Sequence, residues 1–399
     1  MQTSHTVARK EVRKPLLQRE KTVRKQVKTR KRSIGEMDTA FLFIVLILLA
    51  FGLIMVFSAS YANALYYDHD SLKYIKKQGM FAVVGVVAMM IVSKIDYRLY
   101  KKFVVPIALL GYALLVIVLF FEHDGARRWI YLGPLGTFQP SEYMKMAIIV
   151  IFSVLISKNY EKMGTMRYGV VPFALILMAT IGLVMLEPHL SGSLIIAGIG
   201  VIMMYVGGTK LRYFLMLLPI GALGVVGIIL LKDVSYMADR IHNWLDPFSN
   251  SNIHGDVWQT CQSLIAIGSG GVMGLGLGGS QQKYLYLPEP QNDFIFAIVC
   301  EELGMIGAVL VITLFVLLVY RGFSIANQAP DKFGAMLAIG ITIQIGLQAL
   351  LNIGVVTNAI PNTGISLPFF SYGGSALLLQ LIEMGIVLNI SRHSVMEKP

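Results

Sequence analysis

Residues 39–60, "TAFLFIVLILLAFGLIMVFSAS", run without a charged side chain. A helix rises ~1.5 Å per residue, so a segment of this length crosses the ~30 Å hydrocarbon core of a bilayer. Comparable apolar runs follow at 78–93, 103–121, 142–157, 169–187, 190–208, 211–231, 292–320, 333–355 and 372–390. Continuous runs do not fit the short alternating segments of a membrane barrel, and a helix satisfies every backbone group internally. The expected fold is all-α, a polytopic membrane protein with about ten transmembrane helices. Composition agrees, with 55% hydrophobic residues, 14% charged residues and a mean hydropathy of +0.66.

Charge sets the expected orientation. Twelve Lys/Arg fall within residues 1–37, and a segment so basic stays on the cytoplasmic side. With ten spans both termini are cytoplasmic, and 25 of the 34 basic residues fall inside, eight outside and one, Lys145, within a span. The net charge of +11 is thus mainly a topogenic tail and does not call for nucleic acid. The expected organisation is a disordered basic tail (1–37), a ten-helix domain (38–392) with a large outer loop at 232–291, and a cytoplasmic C-tail (393–399). No cleavable signal peptide is expected, because the first apolar run is full length and begins after residue 38.

Several motif matches carry no chemistry. Gly274, Gly276 and Gly279 fit GxGxxG, but no βαβ unit surrounds them. No GxxxxGK[ST] is present. The seven histidines lack ligand spacing, and Cys261 and Cys300 offer neither a metal pattern nor a disulfide framework.

What remains is a set of polar residues in costly places. Lys145 lies about one turn inside the fourth span, with Glu142 three residues before it on the same helix face, as structural partner or as a second group of a polar cavity. Glu187 and His189 interrupt the chain between spans five and six. Residues 287–304, "LPEPQNDFIFAIVCEELG", bring Asp293 to the threshold of span eight. Either Asn292 or Asp293 caps that helix, where the dipole favours a carboxylate, or Asp293 meets a substrate beneath the long outer loop. Glu301, about 80° around and ~12 Å deeper, and Glu302 suit buried structural contacts. The loop, with Trp244, Trp258, Tyr284 and Tyr286 as interface anchors and many glycines, is expected to form a mobile cover over Asp293.

The segments "QPSEYMK" (139–145), "GLGLGGSQQKYLYLPEPQNDFIFAIVCEELG" (274–304) and "PNTGISLPFFSYGGS" (361–375) resemble the signatures of the SEDS family (shape, elongation, division and sporulation: FtsW, RodA, SpoVE), nearest the FtsW/SpoVE branch. The resemblance covers approximately residues 38–395. It implies a peptidoglycan glycosyltransferase that polymerises lipid II, an undecaprenyl-pyrophosphate-linked substrate, at the outer face of the bacterial plasma membrane during division or cell-shape morphogenesis. Asp293 matches the family's essential aspartate. His189 departs from the pattern, which commonly has Asp there, and Asn362 stands where Thr or Val is usual. A class B penicillin-binding protein transpeptidase and other division or cell-wall proteins are the implied partners.

This chemistry assigns roles. The acceptor hydroxyl loses a proton as it attacks the anomeric carbon, and pyrophosphate leaves readily, so one base suffices: Asp293. Arg127, Arg128, Lys145 and Lys283 are the expected counter-charges for the leaving pyrophosphate, with Gln139 and Glu142 alongside in substrate binding. No dedicated metal cage is visible; a divalent cation, Mg or Mn, with Asp293 as a ligand is an open alternative. Two other functions stay open, a lipid II flippase and a non-catalytic scaffold of the division machinery. Clustering of the polar residues toward one face favours the enzyme.

Overall fold

Apolar runs become helices wherever the chain is described. A computed structural model describes residues 35–121, 127–131, 133, 136–187, 189–216, 244–248 and 256–393. The basic tail through residue 34, most of the span expected at 211–231 and residues 394–399 lie outside these. The helices are α1 (Thr39–Asp68), α2 (Lys73–Val92), α3 (Val104–Val118), α4 (Pro140–Asn159), α5 (Val171–Leu186), α6 (Leu190–Val206), α7 (Asp256–Gly270), α8 (Ile295–Asn327), α9 (Lys332–Val356) and α10 (Gly374–Arg392). Among the described residues, seven helical segments are long and apolar enough to cross a membrane, and α3 and α6 are shorter apolar helices. The remaining helix, α7, belongs to the long loop.

Burial sorts these helices into layers. α4 is enclosed on nearly every side and packs on α3, α6 and α9, while α10 packs on α2, and α8 on α1, α7 and α9. α1 and α2 turn Phe43, Ile47, Val83 and Val87 outward, as lipid-facing helices do. Polar caps close the end of the bundle remote from Asp293. Asp38 accepts from Phe41 N at 2.8 Å and pairs with Arg321 at 2.5 Å, and Asp331 accepts from Gly334 N at 2.9 Å and pairs with Arg98 at 3.3 Å.

The glycine-rich run 274–279 has a structural task. α8 is broken at Gly304 (φ 65°, ψ −162°), which frees backbone groups of the preceding turn. The carbonyls of Glu301 and Glu302 accept from Leu275 N (3.0 Å) and Gly276 N (2.9 Å), and Met305 N donates to Gly271 O (2.9 Å). A Cβ on Gly274 would lie 2.2 Å from Glu302 O, so only glycine permits this approach. These backbone bonds tie the 271–276 stretch to the broken helix.

Candidate active site

Asp293 lies two residues before α8, outside the helix. Phe294 occupies the N-cap position and no side chain caps the helix, so the capping role open to Asn292 or Asp293 is not taken. Neighbouring segments hold the backbone instead. Asn352 Nδ2 on α9 donates to Asp293 O (2.7 Å) and Ile365 O (2.6 Å), Ser371 Oγ donates to Asn292 O (2.7 Å), and Tyr372 N donates to Gln291 O (2.8 Å). The 361–375 segment is thereby laced to the start of α8, and the carboxyl is left for the space above.

That space is a two-lobed cleft of about 430 Å³ and 510 Å³, sizes typical of ligand sites. Both lobes are lined by Asp293, Arg128, His189, Ser191, Glu289, Asn292 and Gly364, so the aspartate sits at their junction. Gly364 has φ +65°, and a Cβ there would stand 3.2 Å from Asp293 Oδ2. Burial pushes the Asp293 carboxyl up to about 6, Arg128 pulls it down, and Glu289 pushes it up. Arg128 comes from the segment that forms an antiparallel pair of two-residue strands, β1 (Ile130–Tyr131) and β2 (Thr137–Phe138). Its Nε is buried without a hydrogen-bond partner among the described residues.

Gln139 lines the larger lobe just before α4. Its Nε2 lies 3.3 Å from His189 Nδ1, and Ser141 Oγ lies 3.2 Å from the same nitrogen. Burial lowers His189 to about 4, so the imidazole is neutral at pH 7. Glu187 is fully buried with both carboxyl oxygens unpartnered among the described residues, and burial raises it to about 8.

The expected cations separate. Only Arg128 lines the cleft. Lys145 is buried, 2.8 Å from Glu142 Oε2 and 3.1 Å from Gln348 Oε1. Lys283 is buried, 2.8 Å from Glu302 Oε1 and 2.6 Å from Gly278 O. Neither lysine is among the cleft-lining residues, and each buried ammonium has a carboxylate counter-charge. Arg127 is exposed and is also not among the lining residues, whereas Glu142 is. Glu301 and Glu302 are fully buried in polar contacts. Glu301 accepts from Ser280 Oγ and from the backbone of Gln281 (2.9 Å), and Glu302 accepts from Ser58 Oγ (2.7 Å) on α1.

Among the described residues no group of three or more His, Cys, Asp or Glu side chains could hold a metal ion. Asp293 and Glu289 are the two carboxylates that line both lobes. Sequence reasoning missed Asn352, Gly364 and Gln348. The intramembrane position of the amides at 348 and 352 was the available signal, since polar groups at that depth require partners.

A helical membrane bundle with a partly buried carboxylate at the junction of a two-lobed polar cleft defines a polytopic membrane protein with an enzyme-like site at one end. The chain belongs to the FtsW/RodA/SpoVE family of cell cycle proteins, whose model matches residues 38–396. It is 42% identical over 361 residues to stage V sporulation protein E of Bacillus subtilis, covering 90% of this chain and 97% of that protein. It is 38% identical over 363 residues to a probable peptidoglycan glycosyltransferase FtsW of Trichlorobacter lovleyi, covering 90% and 94%. The fold matches a chain from a peptidoglycan synthase complex that coordinates polymerization and crosslinking (TM-score 0.73, 28% identity, 90% and 99% coverage). It also matches the rod shape determining protein RodA of Thermus thermophilus (TM-score 0.65, 25% identity, 90% and 98% coverage).

Proposed function

We propose that the chain is a peptidoglycan glycosyltransferase that polymerises lipid II with inversion at the anomeric carbon. The carrying observation is the carboxyl of Asp293 at the junction of two lobes, beside the cleft-lining Arg128. In this reading the acceptor's 4-hydroxyl oxygen bonds to the donor's anomeric carbon while Asp293 takes the hydroxyl proton. The bond from that carbon to the diphosphate oxygen breaks, its electron pair stays on the diphosphate, and Arg128 meets the charge. A carboxyl at about 6 is ionised at neutral pH and basic enough to accept the proton. Asp293 would be the residue to hold a divalent ion, which would supply a second positive charge for the leaving diphosphate.

The basic tail supports an orientation with both termini in the cytoplasm and the cleft at the outer face of the plasma membrane. The likeness to a synthase complex supports a crosslinking partner of the class B penicillin-binding protein type. The test is the purified full chain in liposomes containing lipid II. Glycan polymer that disappears in Asp293→Asn supports the enzyme; leaflet exchange of lipid II without polymer supports a flippase and overturns it.

A further inference from the structure

The two lobes that meet at Asp293 differ in charge. Among the described residues, every side chain found only in the smaller lobe is uncharged, with Trp244, Gln259, Thr260 and Asn362 offering an aromatic face, amides and a hydroxyl. Thr363 Oγ1 in that lobe is buried without a hydrogen-bond partner. Among the described residues the larger lobe has one cation of its own, Lys77 on α2, and its other private charge, Glu142, is paired with Lys145. Neighbouring Lys73 and Lys76 pair with Asp68 and Asp70, whereas Lys77 makes no hydrogen bond or ion pair among the described residues. Its helix is pinned beside the cleft. Gln78 Nε2 donates to Ser371 O (3.2 Å) and Gly373 N donates to Gln78 Oε1 (3.2 Å).

Resting on the glycosyl-transfer reading, we infer that the lobes divide the reacting pair by chemistry. The larger lobe takes the diphosphate of the glycan whose anomeric carbon is attacked, held between Lys77 and Arg128. The smaller lobe takes the uncharged sugar rings of the glycan that attacks. An unpaired ammonium and a guanidinium with an unpartnered Nε suit a dianionic linkage. An aromatic face with neutral amides and hydroxyls suits sugars, which present hydroxyls around an apolar ring face. Asp293 at the junction then stands where the attacking hydroxyl and the anomeric carbon meet.

The test uses the full chain in liposomes, with undecaprenyl diphosphate as the probe and undecaprenol as the uncharged control. Binding is read by native mass spectrometry and, separately, as inhibition of lipid II polymerisation. Lys77→Met is expected to weaken undecaprenyl diphosphate roughly 10-fold, the scale of one charge-assisted hydrogen bond, with undecaprenol unchanged. Lys77→Arg restores it, and Asn362→Ala leaves it unmoved while raising KM for lipid II. Unchanged diphosphate affinity in Lys77→Met, or equal weakening in Asn362→Ala, overturns the division of the lobes. The binding readout does not require turnover, so absence of polymer from the wild type would count against the transfer reading alone.

Discussion

Asp293→Asn separates the chemistry of this carboxylate from its contribution to folding. The folded-state value of about 6 exceeds the ordinary 3.8, so the folded state holds the proton more tightly than the unfolded chain does. Stability associated with this group is therefore full below pH 4 and declines as pH rises to about 6. At pH 7 the ionised carboxylate costs the fold at most about 3 kcal/mol, and its partial exposure to the cleft reduces that to roughly 1 kcal/mol. Asparagine is uncharged and nearly isosteric, and the Asn352 bond to the Asp293 backbone carbonyl persists. We expect thermal unfolding in detergent at pH 7 to shift upward or stay level while polymerisation falls by about 10²–10⁴-fold. The wild-type rate should rise with pH around a midpoint near 6, and the variant's residual rate should lack that step. Near wild-type turnover in Asp293→Asn, or destabilisation beyond about 1 kcal/mol, would falsify the base assignment, the second by returning the residue to a structural role.

Other substitutions test the sorting of the polar residues. Lys283→Met leaves the buried Glu302 carboxylate without its ion pair and should cost about 3–5 kcal/mol, with Glu302→Gln in the same chain recovering part of it. A melting point within error of wild type, combined with lost turnover, would return Lys283 to the substrate. For Lys145→Met, Glu142→Gln and the double variant, a thermal-melting cycle should give coupling of about 1–3 kcal/mol. Additive effects, with loss of turnover confined to Lys145→Met, would refute the ion-pair account. Gly364→Ala should cost about 1–2 kcal/mol through its left-handed backbone, and the new methyl should displace the Asp293 carboxylate. A drop in kcat of about tenfold or more is expected, and unaltered kcat would show that the carboxylate tolerates the shift.

Hydropathy made the helical bundle legible because a bilayer permits few other backbones, and a span of some twenty apolar residues records that constraint locally. Asp293, Arg128, Gln139 and Glu142 stood out through their segments and all four line the cleft, while Glu301 and Glu302 stood out through their depth in span eight and both are buried. The division of the remaining charges was not legible. Lys145, Lys283 and Arg128 are equivalent in a sequence, and what separates them is whether a counter-charge reaches each one. Glu302 reaches Lys283 at 2.8 Å because α8 breaks at Gly304 and the 271–283 segment folds back across it. Arg128 Nε has no such partner among the described residues. Lys77, absent from the sequence reading, joins the cleft because Gln78 ties α2 to the turn before α10, almost three hundred residues away in the chain. The sequence by itself determined that the chain is a bundle of long apolar helices and which polar residues fall within or between them. Only the tertiary structure decided which charges are spent on one another and which face the cleft, because an ion pair depends on distances of a few ångströms between segments remote in sequence.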